Sequence, residues 1–144
     1  MATTVKFDHD GARKLLLMAM GAGVAGGTIK AQAIVKNLVN RKGTGIHWPG
    51  QSYRSSSPNR PPTKQTGQYG RSIQVDLSDL KTKNPRGRVG TNDKRGPWLE
   101  YGTRHMAPRP HFRLLFNKKN KSAIRNVAVR LFEKKFRTLA KNTK

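Results

Sequence analysis

Two short segments decide the fold class: Arg71-Ser-Ile-Gln-Val-Asp-Leu77 and Arg86-Gly-Arg-Val-Gly-Thr91. In the first segment, apolar and polar residues alternate from Ile73 to Leu77, which is typical of a strand with one buried face. The second segment predicts its antiparallel partner, reached through a turn around Asn84-Pro85. Because the remaining chain carries helical or turn-forming patterns, the predicted fold class is α+β, with both flanking helices covering one face of a small sheet.

Upstream of the strands, the pattern predicts a long N-terminal helix that begins after Asp8 or Asp10 as N-cap and runs to about Asn40. Its apolar stripe consists of Leu15, Met18, Ala22, Ala25, Ile29, Ala33 and Val39. Glycines at positions 21, 23, 26 and 27 interrupt the pattern, and each costs a helix roughly 1 kcal/mol relative to Ala. They indicate either a kink or a non-helical break near Gly26, or a close contact between helices.

Between this helix and the strands, residues 41–67 are rich in Gly, Pro and Ser. Such a composition supports neither a long helix nor a central strand. No acidic residue occurs between Arg41 and Val75, so the segment is also basic. We expect an extended arm that is mobile in the free subunit and becomes ordered on contact with a neighbour.

Downstream, Pro97 opens a short helical turn over Trp98–Tyr101, and Gly102 is expected to end it with a positive φ. Pro108 and Pro110 then hold the chain extended. A basic, amphipathic C-terminal helix follows, with an apolar stripe of Phe112, Leu115, Phe116, Ile124, Val127, Leu131 and Leu139. We predict that residues 1–144 form a single domain.

Charge is the strongest feature of the composition: 30 Lys and Arg against 7 Asp and Glu give a net charge of +23. Such a subunit attracts polyanions or acidic protein surfaces, and charge alone does not choose among DNA, RNA and an acidic neighbour. The absence of cysteine excludes disulfides and thiolate metal sites. The start lacks a signal-peptide layout, and the most apolar stretch, Leu15–Met20, is too short to span a bilayer, so we expect a soluble product.

Two glycine patterns resemble nucleotide-binding loops. Gly21-Ala-Gly-Val-Ala-Gly26 matches the dinucleotide fingerprint, but no acid occurs between Asp10 and Asp76 to hold a ribose. The stretch from Gly45 to Ser52 resembles a phosphate-binding loop with Gln51 in place of the lysine. Helix packing and a turn-rich arm explain the two patterns better, so no cofactor is predicted.

No catalytic or metal site is predicted either. The histidines lack the spacing of zinc ligands: His9, His47, His105 and His111. Glu100 is the one candidate general base, but an ion pair with Arg95 or Arg104 is the expected role of a solitary acid among arginines. We therefore expect a protein that is not an enzyme.

The most specific segment is Trp98-Leu-Glu-Tyr-Gly-Thr-Arg-His-Met-Ala-Pro-Arg-Pro-His-Phe112. It is accompanied by Gly43-x-Gly45, Pro49-Gly50, Pro61-Pro62, Gln65-Thr66-Gly67, Ser72-Ile73 and Val89-Gly90-Thr91. Together these segments resemble the tail-component family of long-tailed phages, which is related to the tenth gene product of Hong Kong phage ninety-seven. The resemblance covers roughly residues 43–116.

This resemblance implies a structural virion protein of the head–tail connector, or neck, that joins the tail tube to the capsid. It implies a ring around the DNA channel, a hexamer by analogy, acting in tail completion, with tail terminator and head stopper as the alternative positions. The implied partners are head-completion proteins, tail terminator and tube proteins, and packaged DNA through nonspecific contact. The implied location is the head–tail junction of the virion, after assembly in the host cytoplasm.

Within that frame, two sets of residues are predicted to make contacts. The subunit or partner interface is assigned to Trp48, Pro49, Tyr53, Arg54, Arg60, Trp98, Tyr101 and Arg104, although Trp98 and Tyr101 could instead anchor the sheet–helix junction. Contact with DNA or an acidic partner is assigned to Lys118, Lys119, Lys121, Arg125, Lys134 and Lys135. The alternative function is a nonspecific RNA- or DNA-binding protein of ribosomal or nucleoid type, which should bind nucleic acid tightly as a monomer.

Overall fold

The computed structural model describes residues 8–142 of the chain. The opening residues, which bear on the signal-peptide expectation, lie outside this range. The described elements are α1 (His9–Val39), α2 (Gln68–Ser72), β1 (Ile73–Asp76), β2 (Arg88–Thr91), α3 (Arg95–Tyr101) and α4 (Lys118–Lys141). Two 3-10 turns, Ser78–Lys81 and Arg113–Phe116, complete the regular structure. The α+β prediction is confirmed.

The two predicted strands pair as an antiparallel sheet, with Ile73 opposite Thr91 and Val75 opposite Val89. Both strands are shorter than predicted. Arg71 and Ser72 belong to α2, which the sequence pattern did not reveal, and Leu77 lies beyond β1. The connection to β2 begins with the turn at Ser78–Lys81 and bends at 82–84, so the predicted turn around Asn84-Pro85 is only its last part.

The predicted bounds of the N-terminal helix are confirmed. Asp8 is the N-cap, and its side chain accepts a hydrogen bond from the Gly11 amide at 2.9 Å. The helix ends at Val39, where the Asn40 amide donates to the Lys36 carbonyl at 3.0 Å. It continues through Gly26 as one helix, so the non-helical break considered there is wrong.

The apolar stripe predicted for α1 is wrong as well. Met18, Ile29 and Ala33 are exposed, and only Val39 of the predicted stripe is buried. The buried positions are mostly small residues: Ala19, Gly21, Gly23, Gly26, Gly27, Thr28, Ala31, Val35 and Val39. Because α1 is apolar on nearly every side, periodicity does not single out the packed face, and the size of the side chains decides it.

The small face of α1 receives α4, which runs antiparallel to it. Gly23 faces Ala128 and Phe132, whereas Gly27 faces Ile124 and Ala128. The glycines therefore serve the close helix–helix contact that was the other prediction for them. This packing corrects the expected arrangement, because α4 lies on α1 and on the 3-10 turn before it, and it is α1 that packs against both strands.

The C-terminal helix also begins later than its predicted stripe. Asn117 is the N-cap, and its side chain accepts from the Asn120 amide at 2.8 Å. Phe112 and Leu115 precede the helix and pack against a small core of Val35, Val39 and Ile73, to which Tyr69 and Val89 also contribute. Phe116, by contrast, is 70% exposed, so its place in the stripe is wrong.

Adding a methyl group at Gly23 tests the α1–α4 contact. A Cβ there would lie 2.8 Å from the Ala128 carbonyl oxygen, which cannot move without separating the helices. We expect Gly23→Ala to lower the free energy of unfolding by about 1–3 kcal/mol in urea titrations, despite the better helix propensity of Ala. Gly26→Ala is the control, since its Cβ would meet the flexible end of Leu131, and it should cost clearly less. Equal losses at both positions would contradict this description of the contact.

Candidate functional site

The arm folds back on itself as a narrow hairpin. The Gly45 amide donates to the Ser55 carbonyl at 2.8 Å, and the Ser55 amide donates to the Ile46 carbonyl at 3.0 Å. His47 and Arg54 form a single antiparallel bridge, and a turn at Trp48–Gln51 closes the tip. The arm is therefore less extended than predicted, and its tip is the part that projects.

Glycine is required at the base of this hairpin. A Cβ at Gly43 would collide with the carbonyl groups of Arg54 and Ser55, because the two backbones pass directly against each other. Gly50, at the tip, has a φ of 77°, a conformation that glycine adopts freely. The Gly43-x-Gly45 and Pro49-Gly50 motifs thus have local structural reasons.

The specific segment 98–112 holds the arm in place. The Arg109 guanidinium donates to the carbonyl and hydroxyl oxygens of Ser56, which is buried. Beside it, the Asn59 amide donates to the Pro108 carbonyl at 2.9 Å. Gly102 ends α3 with a φ of 81°, as predicted, and turns the chain toward these contacts. The arm is attached along residues 55–62, and the hairpin tip is left outside.

Glu100 binds the backbone that leads into the last 3-10 turn. One carboxylate oxygen accepts from the amides of His111 at 2.9 Å and Phe112 at 3.0 Å. The other accepts from the Arg113 amide at 3.0 Å and from the Arg113 side chain at 3.2 Å. The predicted partners are therefore wrong: Arg95 pairs with Asp93, and Arg113 pairs with Glu100. We call this arrangement of Glu100 with residues 111–113 the Glu100 clasp.

Burial alone would raise the pKa of Glu100, but the hydrogen bonds from the amides of His111, Arg113 and Phe112 together outweigh it and lower that pKa. The clasp thus holds an ionised carboxylate at neutral pH. Three backbone donors converging on one carboxylate form an anion cradle occupied by a side chain of the same chain.

His111 is fully buried beside the clasp and joins it to α2. Its Nε2 lies 2.5 Å from the Tyr69 hydroxyl, and its Nδ1 lies 3.1 Å from both the Arg109 carbonyl and a Glu100 oxygen. Nδ1 therefore carries the proton, and Nε2 accepts from Tyr69. Burial lowers the pKa of His111, outweighing the opposite effects of the Arg109 carbonyl and Glu100, so the ring is neutral at pH 7.

Glu100, His111 and Tyr69 bring an acid, a base and a hydroxyl together, but these groups make hydrogen bonds within the fold. Glu100 and His111 are buried, and the Glu100 oxygens accept from backbone amides. Burial, followed by the nearby carboxylates of Asp93 and Glu100, raises the pKa of Tyr69, so its hydroxyl stays protonated. The arrangement braces three elements through the buried Glu100 and His111, and Tyr69 is half-buried.

The neutral state of His111 predicts acid sensitivity. Its pKa in the folded chain is lower than in the unfolded chain, so the unfolded state binds more protons as the pH falls through about 6.5. Stability should therefore decrease from pH 7.5 to 5.5, and Glu100 should add a further loss below its ordinary pKa of about 4.5. In thermal unfolding, His111→Gln should reduce the decrease in unfolding temperature between pH 7.5 and 5.5. His105→Gln, a change at an exposed histidine, should leave that decrease as it is in the wild type. An unchanged slope in His111→Gln would exclude this histidine as the cause.

The structure places the predicted interface residues on the surface in two groups. Trp48, Pro49, Tyr53, Arg54 and Arg60 lie on the arm, and Trp48 is 54% exposed. Trp98, Tyr101 and Arg104 lie on α3 and the turn after it. Since Trp98 is 56% and Tyr101 is 72% exposed, they do not anchor the sheet–helix junction. Their exposure favours the interface assignment.

The predicted basic residues of α4 are all exposed, but they do not share one face. Lys118, Lys121 and Arg125 follow helical spacing on one side. Lys135 instead lines a cleft toward α1, and Lys134 lines a shallow groove. The single positive face drawn from the sequence is therefore wrong.

The sequence interpretation included Lys134 but missed the three cations beside it. Arg130, Lys134, Arg137 and Lys141 line the same groove on the outer side of α4, at steps of four, three and four residues. We call them the outer basic stripe. Their spacing, which repeats with the helical turn, was the signal that identifies them from sequence. Arg137 approaches Glu133 at 3.9 Å, a long and exposed pair that contributes little.

Nucleotide and metal sites find no support in the arrangement of the described residues. The glycines of the dinucleotide-like pattern lie inside α1, Gly23 and Gly26 against α4 and Gly21 against Leu80. The loop from Gly45 to Ser52 forms the arm hairpin. Within residues 8–142, no group of His, Asp and Glu side chains is arranged to hold a metal ion. No helix in that same range is long and apolar enough to cross a membrane.

Comparison of the chain with protein-family models, curated proteins and solved structures gave no match. The resemblance to the phage tail components therefore rests on the motifs within residues 43–116.

Proposed function

We propose that this chain is a structural subunit of the head–tail junction of a long-tailed phage, acting in tail completion as one member of a ring. The observation that carries the proposal is a set of large apolar side chains left on the surface at the projecting parts of the fold. Ile46 and Trp48 at the arm tip are 64% and 54% exposed, and Trp98 and Tyr101 on α3 are similarly open. Such residues are typical of surfaces that a neighbouring subunit covers.

The construction of the arm supports this proposal. Its base is fixed by Arg109 and Pro108, and its tip makes no comparable contact with the rest of the described chain. A rigid base with a projecting tip suits a hairpin that reaches the next subunit. Two of the motifs that resemble the phage family lie in these parts of the arm: Pro49-Gly50 forms its tip, and segment 98–112 holds its base.

The charge of the chain fits a position around DNA. A ring of subunits that each carry +23 would present a strongly positive lumen or rim to the packaged genome or to an acidic ring above or below it. Head-completion proteins on one side and tail terminator or tube proteins on the other are the proposed partners. The tail terminator and head stopper positions are the alternatives within the same junction.

We also propose that the chain is not an enzyme. The support comes from the Glu100 clasp and the adjoining His111, which are buried and used for internal hydrogen bonds. A turnover abolished by Glu100→Gln in a correctly folded chain would refute this part of the proposal.

The second candidate function is nonspecific nucleic-acid binding, favoured by the outer basic stripe. Four cations along α4 could each meet a backbone phosphate without reading the sequence. The two functions differ in what the monomer does: a ribosomal- or nucleoid-type protein binds tightly on its own, whereas a neck subunit needs its ring or partners.

The arm tip provides the test of the assembly function. Trp48→Ala should leave the fold intact but raise the concentration of chain needed for half-maximal joining of heads and tails by about thirtyfold or more, because a central aromatic contact contributes about 2 kcal/mol or more. Phe116→Ala is the matched control, since Phe116 is also an exposed aromatic residue but belongs to the 3-10 turn Arg113–Phe116 and not to the arm. Wild-type joining by Trp48→Ala would contradict the proposed role of the arm.

A further inference from the structure

A cleft of about 460 Å³ lies between the N-terminal half of α1, the Ser78–Lys81 turn and the C-terminal half of α4. Its apolar walls are formed by Leu17, Met18 and Leu80, with the backbone of Gly21 between them. Met18 is 47% exposed at the edge of the cleft. The volume is sufficient for a large apolar side chain together with part of its own backbone.

Cations surround this apolar cleft. Arg13 and Lys14 come from α1, Lys81 from the 3-10 turn, and Lys135 from α4. All four are exposed, and none forms an ion pair with a carboxylate of residues 8–142. The single acid at the cleft is Asp10, so the rim is strongly positive.

This combination of walls and rim constrains the ligand. Binding is favourable when an apolar group leaves water and enters the cleft. Several negative charges held together at the rim can in addition pair with several of the four cations. Both conditions are met by a short protein segment in which one large apolar side chain is flanked by carboxylates. We infer that the cleft is a docking site for such an acidic segment of a partner protein.

Other ligands fit the same residues less well. A fatty acid carries one carboxylate, which can meet only one or two of the four cations. A nucleic acid would find no aromatic side chain to stack on among the lining residues, and Asp10 would repel its phosphates. A second copy of this chain is disfavoured because it is itself strongly basic.

The inference names the kind of partner that the proposed junction would bring to this subunit, and in that sense it rests on the proposed function. Its experiment uses the isolated full-length chain and a synthetic peptide. Failure to bind the peptide therefore refutes the cleft as a docking site and leaves the location of the chain in particles to be judged separately.

The test is fluorescence anisotropy with two labelled peptides at about 0.15 M salt, where long-range attraction between exposed charges is screened. The first peptide has one Leu between pairs of Glu, and in the second that Leu is replaced by Ser. We expect the Leu peptide to bind about tenfold more tightly than the Ser peptide. Met18→Glu should lower the affinity for the Leu peptide by about tenfold. Ile29→Glu, a matched change at a 51% exposed residue of the same helix, should leave that affinity nearly unchanged.

A second pair of variants keeps the test independent of the fold of Met18→Glu. The double variant Lys81→Gln with Lys135→Gln should have a lower affinity for the Leu peptide. The double variant Lys83→Gln with Lys134→Gln removes the same charge outside the cleft and should keep the wild-type affinity. Equal binding of the two peptides, or equal effects of the matched variants, would overturn the inference. Binding of decanoate at the cleft without binding of the Leu peptide would also overturn it, in favour of a lipid ligand.

Discussion

Glu100→Gln is expected to destabilise the chain more than any other single conservative change. The carboxylate accepts four hydrogen bonds, three from backbone amides and one from the Arg113 side chain. A glutamine offers one oxygen and turns an NH₂ group toward the remaining donors, which lose their acceptor; the His111 amide is buried and the Phe112 and Arg113 amides are part-buried. Each buried donor left unsatisfied costs about 1–3 kcal/mol, so the total loss should be about 3 kcal/mol or more. For a domain with so small a core, this is a large part of its stability.

Urea unfolding of Glu100→Gln and Glu133→Gln measures this loss. Glu133 is exposed on α4 and makes only a long pair with Arg137, so its variant should unfold within about 0.5 kcal/mol of the wild type. The same denaturation midpoint in both variants would show that the Glu100 clasp contributes nothing to folding. The interpretation of segment 98–112 as a structural brace would then be wrong.

Removing the outer basic stripe is expected to give the largest change in DNA affinity. The variant replaces Arg130, Lys134, Arg137 and Lys141 by Gln. Each lost phosphate contact lowers the slope of log affinity against log salt by about 0.9, so the slope should fall by about three to four units and the affinity at 0.1 M salt by a factor on the order of 10² or more. The fold should survive, because the residues of α4 that contact α1, such as Ile124 and Leu131, are unchanged.

Net charge and position must be separated in this experiment. The control variant replaces Lys42, Lys64, Lys83 and Lys94 by Gln, which removes four charges from scattered exposed positions outside α4. We expect it to retain most of the wild-type affinity and slope. If the two variants lose DNA binding equally, the stripe has no special role and the attraction belongs to the chain as a whole. If neither variant loses binding, the cations of α4 are only a solvated surface.

Local signals in the sequence were sufficient for the elements that depend on them. Asp8 fixes the start of α1 through its own side chain, and alternation around Ile73 identifies β1 because the sheet has one buried face. Gly102 ends α3 because its φ is one that few other residues adopt. In each case the deciding interaction lies within a few residues of the signal.

The face of α1 could not be predicted in the same way. An apolar helix offers several stripes, and the contact with α4 selected the one whose side chains are smallest. That choice depends on the shape of a helix about a hundred positions later in the chain. Three residues of the predicted stripe, Met18, Ile29 and Ala33, are exposed instead.

The candidate site shows the same limit. Glu100 was identified as unusual because it stands alone among basic residues, but its true acceptor role involves backbone amides at 111–113, which carry no side-chain signature. The pairing of Tyr69 with His111 joins residues 42 positions apart and depends on α2, which was not predicted. By contrast, Trp48 of the arm, which is predicted to contact a partner, is exposed, as expected for a segment of turn-forming composition.

The proposal that this chain belongs to the head–tail junction is tested most directly by locating and counting it in particles. A gold-labelled tag on the chain, viewed by negative stain in purified phage particles that contain it, should mark a single position between head and tail. Mass measurement of the same particles should give a copy number equal to one closed ring. Label spread along the tail or over the capsid would contradict the proposal. So would absence of the chain from purified particles together with its recovery on host ribosomes or the nucleoid, which is the result expected of the alternative nucleic-acid-binding protein.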